Sequence, residues 1–324
     1  MKILVILPNW LGDAVMATPA IELLANKYPN ASFTFIGSFV SIEAIKWHPK
    51  CEKAIVDETK KAKNRLIATY KLAKRVGKFD LAISFRNHFY SSLLLKFTNS
   101  STTIAKSSWH SKPLLSKTPK IHTTQHLVKQ YSELAMMDQI SDSDKIGPLS
   151  LHIKAKKYNK QMLGINAGAT YGSAKRWYPE RFAEVAAYFS NKYDILIFGG
   201  PNEIEMSKEI QSNLEQRGVD NYLNLAGQTS IEEVCSKIGG CSLFITNDSG
   251  PMHVAAAYQV PTVAIFGPTK YKETSQWKNR KSKIVRHEME CSPCMRRECP
   301  LGHHECMKSI TAQEVIEAVN KFAL

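Results

Sequence analysis

Short apolar runs alternate with amphipathic stretches along the whole chain. Residues 2–7 form a nearly continuous apolar run, the pattern of a strand buried on both faces, and it ends in Pro-Asn-Trp-Leu-Gly-Asp. Ile21, Leu24, Ala25 and Tyr28 then recur at helical spacing, and Pro19 belongs in the first turns of that helix, where a missing N–H is tolerated. Further strands are expected at 32–36, 80–84 and 102–105, with helices over 60–77, 88–98 and 122–138. After a polar stretch at 141–145 and Gly147-Pro148 the pattern restarts. It predicts strands at 162–166, 194–198, 242–246 and 262–266, and helices at 181–191, 203–216, 231–238 and 252–258. Thr311 followed by Glu314 is a capping box for a terminal helix whose stripe is Val315, Val319 and Phe322.

Strands alternating with helices imply parallel sheets covered on both faces, so the fold class is α/β. Two such series predict two Rossmann-like domains with a cleft between them, at 1–155 and 156–310. The helix at 311–324 is expected to cross back toward the first domain. A length of 324 residues agrees with two cores rather than one.

Composition adds little to the fold and something to the chemistry. At 44% apolar and 22% charged the chain reads as an ordinary soluble protein. No apolar run approaches the ~18 residues of a spanning helix, and the first run is shorter than the ~7–15 residues of a signal-peptide core. A cytosolic protein without a transmembrane segment is the expectation. The net charge is +14, of which +10 falls in residues 1–150. A basic surface seeks anions: nucleic acid, lipid headgroups or phosphorylated substrates. Lys60, Lys61, Lys63 and Arg65 open the densest basic segment. Leu66, Tyr70, Ala73 and Val76 recur behind them at helical spacing, which reads as the inner side of a covering helix with a solvated basic face.

Ligands of open parallel sheets bind beyond the carboxyl ends of the strands. The first strand ends in Asn9-Trp10-Leu11-Gly12-Asp13, which sets an acid beside a helix start. Asp13 is there either an N-cap or a general base. A second strand end carries Gly168, Thr170, Gly172, Ser173, Lys175 and Arg176, a set suited to an anion such as a diphosphate. A third carries Asp248-Ser249-Gly250-Pro251-Met252-His253 at a helix start, a second anion site by its N–H groups and dipole. There Asp248 reads as a cap or a sugar-hydroxyl ligand. His253 is expected neutral near the helix's positive end, or simply packed. Phe198-Gly199-Gly200-Pro201-Asn202-Glu203 is a fourth turn on the same edge. Asp142-Ser143-Asp144 has a metal-binding Asp-x-Asp spacing but lies in the polar linker, which argues against that role.

Of seven cysteines, four cluster as Cys291-x2-Cys294-x4-Cys299-x6-Cys306. Thiolates at short spacing suit a structural zinc, although only one Cys-x2-Cys knuckle is present; iron–sulfur ligation, a reduced metal-free loop and disulfides formed in air are the other readings.

Taken in order, these motifs resemble the ADP-heptose:lipopolysaccharide heptosyltransferases, inverting GT-B enzymes of glycosyltransferase family 9. Asn9-Trp10-Leu11-Gly12-Asp13 resembles the family's first-strand signature. The stretch from Gly168 through Trp177 is similar to the heptosyltransferase II branch, and Asn247 through Ala257 to the donor-site motif. The resemblance implies transfer of L-glycero-D-manno-heptose from ADP-heptose to a heptose on an anionic Kdo–lipid A inner core. It further implies an enzyme without a catalytic cofactor, peripheral at the inner face of the cytoplasmic membrane. It assigns Asp13 as base and Thr170, Lys175, Glu203, Asp248, Ser249, Gly250 and His253 to the donor, with Lys175 also stabilising charge. Asn9, Trp10, Gly12, Lys60, Lys61, Lys63 and Arg65 fall to the acceptor side. The nearest alternatives are heptosyltransferase I acting on Kdo–lipid A, or transfer of another sugar. A dinucleotide fingerprint is absent after the first strand, and no nucleic-acid-binding signature accounts for the charge.

Overall fold

The computed structural model describes residues 1–106, 108–137 and 143–322, so Asp142 of the Asp-x-Asp reading lies outside the described residues. The chain divides into two units, Met1–His152 and Ile153–Leu324.

The first unit runs β1 (Lys2–Ile6), α1 (Leu11–Met16), α2 (Thr18–Lys27), β2 (Ser32–Gly37), α3 (Phe39–Ile45), β3 (Cys51–Val56), α4 (Arg65–Val76), β4 (Leu81–Ser84), α5 (Phe89–Phe97), β5 (Thr102–Ala105) and α6 (Leu127–Met136). Its strands pair in parallel in the order β3-β2-β1-β4-β5. Central β1 buries every residue after Lys2, which is why it reads as a continuous apolar run. Leu4, Ile6 and Ala82 meet Leu72 and Ala73 of α4 and Leu94 and Leu95 of α5 on one face of the sheet. Pro19 takes the second position of α2, as its missing N–H requires.

The second unit runs β6 (Met162–Asn166), α7 (Pro179–Phe189), β7 (Asp194–Phe198), α8 (Ile204–Gln216), β8 (Tyr222–Asn224), α9 (Ile231–Gly239), β9 (Leu243–Asn247), α10 (Gly250–Ala257), β10 (Thr262–Ile265), α11 (Tyr271–Thr274), β11 (Ser282–Val285), α12 (Glu305–Lys308) and α13 (Ala312–Asn320). Its order is β11-β10-β9-β6-β7-β8, again parallel throughout. Strand order reverses beside β1 in the first sheet and beside β6 in the second, so each unit has a switch point where a crevice opens beyond the strand ends.

The capping box of α13 forms: Thr311 Oγ1 accepts from Glu314 N–H, and the Glu314 carboxylate accepts from Thr311 N–H at 2.8 Å. The stripe of this helix is spent within the second unit. Val315, Val319 and Phe322 are buried with Phe182, Val185 and Val285 in the second unit's own core. An apolar face left open beside α7 and β11 takes the nearest amphipathic helix, and α13 is that helix.

Candidate active site

In the first unit the chain leaves the sheet at Pro8. The Ser41 hydroxyl donates to Pro8 O and the Ser38 hydroxyl to Asn9 O at 2.7 Å, so α3 braces the exit of β1. Asn9 and Trp10 are exposed, and Gly12 is buried in α1. Asp13 is the third residue of α1 rather than its cap. Trp10 holds the cap position without a side-chain bond, and the carboxylate sits in the first turn, on the positive end of the helix. Burial, together with the Asp13 carboxylate, pushes the Tyr131 phenol of α6 well above the ordinary tyrosine range. Tyr131 packs edge-on against Phe85 at 5.4 Å. Sequence reasoning missed it because nothing local links residue 131 to residue 13.

Lys60, Lys61 and Lys63 are exposed around a short 3-10 turn, with Lys61 paired to Glu58 at 3.1 Å. Arg65 opens α4 with its guanidinium 4.1 Å from the Tyr90 ring centroid. The apolar side of this segment differs from the expectation. Leu72 and Ala73 face the core, but Leu66, Ile67 and Tyr70 stay about half exposed, on the same helix as the basic residues. Arg86 is a second unforeseen group. Its Nε donates to Leu7 O at 2.6 Å and its guanidinium to Asp57 at 2.6 Å, a buried ion pair beyond β1, β3 and β4. Burial works against the Asp57 charge, but the Thr59 hydroxyl and Arg86 hold its carboxyl below the usual range. Phe-Arg directly after a buried strand was the available signal.

In the second unit the ends of β6 and β9 are tied together. Asn166 Nδ2 donates to Gly168 O at 3.1 Å and to Ser249 Oγ at 3.2 Å; Asn247 donates to Ala167 O and accepts from Trp177 N–H at 3.1 Å. Around this knot lie Gly168, Lys175, Asp248, Ser249 and Gly250. Lys175 Nζ meets Asp248 Oδ2 at 2.6 Å with both side chains largely buried, and the Thr269 hydroxyl donates to the same oxygen. Asp248 therefore does not cap α10. Ser249 holds that position, and it makes no side-chain cap bond. Its hydroxyl lies near Thr246 Oγ1 instead; Pro251 brings no N–H and Met252 N–H donates to Ser249 O at 3.1 Å, so the first turn of α10 offers an anion the Gly250 N–H and its dipole. His253 is buried in α10 and Thr170 is exposed on the loop. Glu203 is buried and accepts from Gly200 N–H at 2.8 Å. A Cβ on Gly168 would fall 2.0 Å from the Glu203 carboxyl carbon, so the close approach of the two requires glycine.

The four clustered cysteines line one cavity with Pro268, Pro300, Leu301 and His303. The backbone N–H of His304 donates to Cys299 Sγ at 3.4 Å. That bond first, then those from Leu301, Gly302 and His303, draws the Cys299 thiol down; burial first, then the other three cysteines, pushes Cys306 up to about 11. Among the described residues, the group whose ligand atoms stand close enough together to share one ion is not this one but Glu22 with His48 and His152, at 3.6 and 3.0 Å. No helix among the described residues is long and apolar enough to cross a membrane.

Comparison with known proteins identifies the family. The pattern of Glycosyltransferase family 9 (heptosyltransferase) matches residues 69–305. Lipooligosaccharide heptosyltransferase 2 of Campylobacter jejuni is 39% identical, over 98% of this chain and 97% of its own. Lipopolysaccharide heptosyltransferase 2 of Escherichia coli K12 is 26% identical over 100% and 99%. The solved structure of E. coli ADP-heptose lps heptosyltransferase II superposes with a TM-score of 0.80 at 26% identity, over 99% of this chain and 98% of that one. Two parallel-sheet units of GT-B type, with acid, lysine and helix start at their switch points, belong to a sugar-transferring enzyme, and the chain is a member of glycosyltransferase family 9, the heptosyltransferases.

Proposed function

We propose that this enzyme moves L-glycero-D-manno-heptose from ADP-heptose to a heptose of the lipopolysaccharide inner core, with inversion. The observation that carries this reading is the Lys175–Asp248 pair beside the uncapped start of α10. A diphosphate set there is held by a cation and a helix dipole. Glu203, Asp248 and Thr170 supply acceptors for donor hydroxyls, and His253 packs behind them. Asp13 takes the proton of the acceptor hydroxyl. The resulting oxygen attacks the anomeric carbon from the face opposite ADP, the bond to the diphosphate breaks, and a single displacement inverts the centre. Charge appears on the leaving diphosphate, where Lys175 and α10 stabilise it without reorganising. Turnover of ADP-heptose with defined Kdo–lipid A acceptors, with and without the first heptose, tests the reading. Transfer requiring that heptose supports it. Transfer to bare Kdo–lipid A would favour heptosyltransferase I chemistry.

Lys175→Ala should weaken ADP binding and slow transfer together, because phosphate charge is present in the ground state and grows in the transition state. It also leaves Asp248 buried without its cation, and breaking such a pair costs about 3–5 kcal/mol. Calorimetry with ADP beside a turnover assay reads both effects; unchanged values would remove Lys175 from the donor site.

The acceptor side is read from the first unit, where Asn9, Trp10 and Gly12 flank Asp13. Lys60, Lys61, Lys63 and Arg65 face an anionic, membrane-held acceptor, with the half-exposed Leu66, Ile67 and Tyr70 beside them supplying apolar contact at the inner face of the cytoplasmic membrane. Replacing the four cations with Gln should raise the apparent acceptor KM and flatten its salt dependence, leaving ADP affinity in place. A change confined to ADP binding would reverse the assignment of the two units. For Cys291, Cys294, Cys299 and Cys306 this reading assigns a structural zinc outside the transfer chemistry.

A further inference from the structure

The 168–177 loop, which carries Lys175, has little structure of its own: one three-residue 3-10 turn, Ser173–Lys175. Such a turn does not hold a shape alone. Asn166 ties down its start, and the Lys175–Asp248 pair and the Trp177 N–H on Asn247 its end; the cysteine loop holds the middle. Ala174 N–H donates to Arg297 O at 2.9 Å, and the Tyr171 hydroxyl donates to Met295 O at 2.7 Å. Ala174 O can only accept, so His304 Nε2, at 2.9 Å, carries the ring proton, and His304 Nδ1 then accepts from the Tyr178 hydroxyl at 3.2 Å. A Cβ on Gly172 would fall 2.2 Å from Arg297 O, a backbone atom that cannot swing aside.

The cysteine loop in turn has no helix or strand of its own between β11 and α12. A stretch of that length holds a fixed shape only when something ties it together. Its four cysteines surround one cavity, and the Cys299 sulfur accepts a backbone N–H, the arrangement that prepares a thiolate ligand. The sulfurs stand wider apart than metal ligands do, so an entering ion would draw them in and release thiol protons to solvent. The rival cluster is less suited to an ion. His48 Nδ1 accepts from Lys50 N–H at 3.2 Å, which puts the ring proton on Nε2, the atom facing Glu22, and leaves that atom no lone pair.

We infer that Cys291, Cys294, Cys299 and Cys306 bind one zinc-type ion, and that this ion, through Met295, Arg297 and His304, holds the 171–175 segment in the position that binds the donor. The metal thus governs donor affinity without touching the donor. This inference rests on reading the Lys175 loop as the donor site.

The test compares metal content, ADP affinity and circular dichroism of protein purified without chelator. Expected are about one zinc per chain, ADP affinity falling roughly 10-fold or more when a chelator removes it, and recovery when zinc returns. Cys294→Ser should behave like the stripped protein. Gly172→Ala should keep its zinc and its folded spectrum yet bind ADP more weakly, because its methyl pushes against Arg297 O. Metal-free protein with four titratable thiols would overturn the site. Zinc whose removal leaves ADP affinity unchanged would overturn the coupling and spare the site. Zinc-loaded protein that never binds ADP would overturn the donor reading, and the coupling with it.

Discussion

Asp13→Asn is expected to lower turnover by ~10²–10⁴-fold while ADP affinity stays within about twofold, because a general base acts in the chemical step and not in donor binding. Asn keeps the shape of the side chain in the first turn of α1. It removes the carboxylate's interaction with the helix dipole, worth about 0.3–1 kcal/mol, so the fold should survive with a small loss of melting temperature. The same change has a spectroscopic signature. Burial and the Asp13 charge together keep the Tyr131 phenol protonated far up the pH scale. Without the charge, ultraviolet titration should find that tyrosine ionising at lower pH than in the parent protein. Near-normal turnover would take Asp13 out of the mechanism, whatever the tyrosine does.

Gly168→Ala should produce a different failure: a folded protein with poor donor binding. The added methyl lies 2.0 Å from the carboxyl carbon of Glu203 and 2.1 Å from both its oxygens. The obstructing atoms are the end of a side chain, so Glu203 can rotate away, at the cost of its bond from Gly200 N–H. Overpacking costs about 1–3 kcal/mol and the lost hydrogen bond to a charge about 1.5–3 kcal/mol more. If the carboxylate receives donor hydroxyls, its displacement should weaken ADP-heptose binding by roughly 10-fold, the scale of one charged hydrogen bond. Calorimetry with ADP-heptose beside a thermal melt separates the two effects. A destabilised protein with unchanged donor affinity would place Glu203 outside the donor site and leave it a purely structural partner of the Gly200 turn.

Local pattern alone determined much of this molecule. Central strands such as β1, β6 and β9 were legible because burial on both faces leaves only apolar side chains, and α2, α7 and α13 because one buried stripe repeats at helical spacing. The Thr311–Glu314 cap closes within one turn, so four residues specify it. The acid, lysine and Ser-Gly at three strand ends were legible too, since parallel sheets collect ligands there. Strand β3 escaped because an edge strand with three exposed residues carries no apolar run, and the three-residue β8 and half-exposed β11 escaped for the same reason. The docking of α13, the pairing of Lys175 with Asp248, the seating of Glu203 against Gly168, the approach of Tyr131 to Asp13 and the clamp of the cysteine loop on Gly172 were decided only in three dimensions. Each joins residues far apart in the chain, and such contacts depend on sheet order and close packing, which no local periodicity encodes.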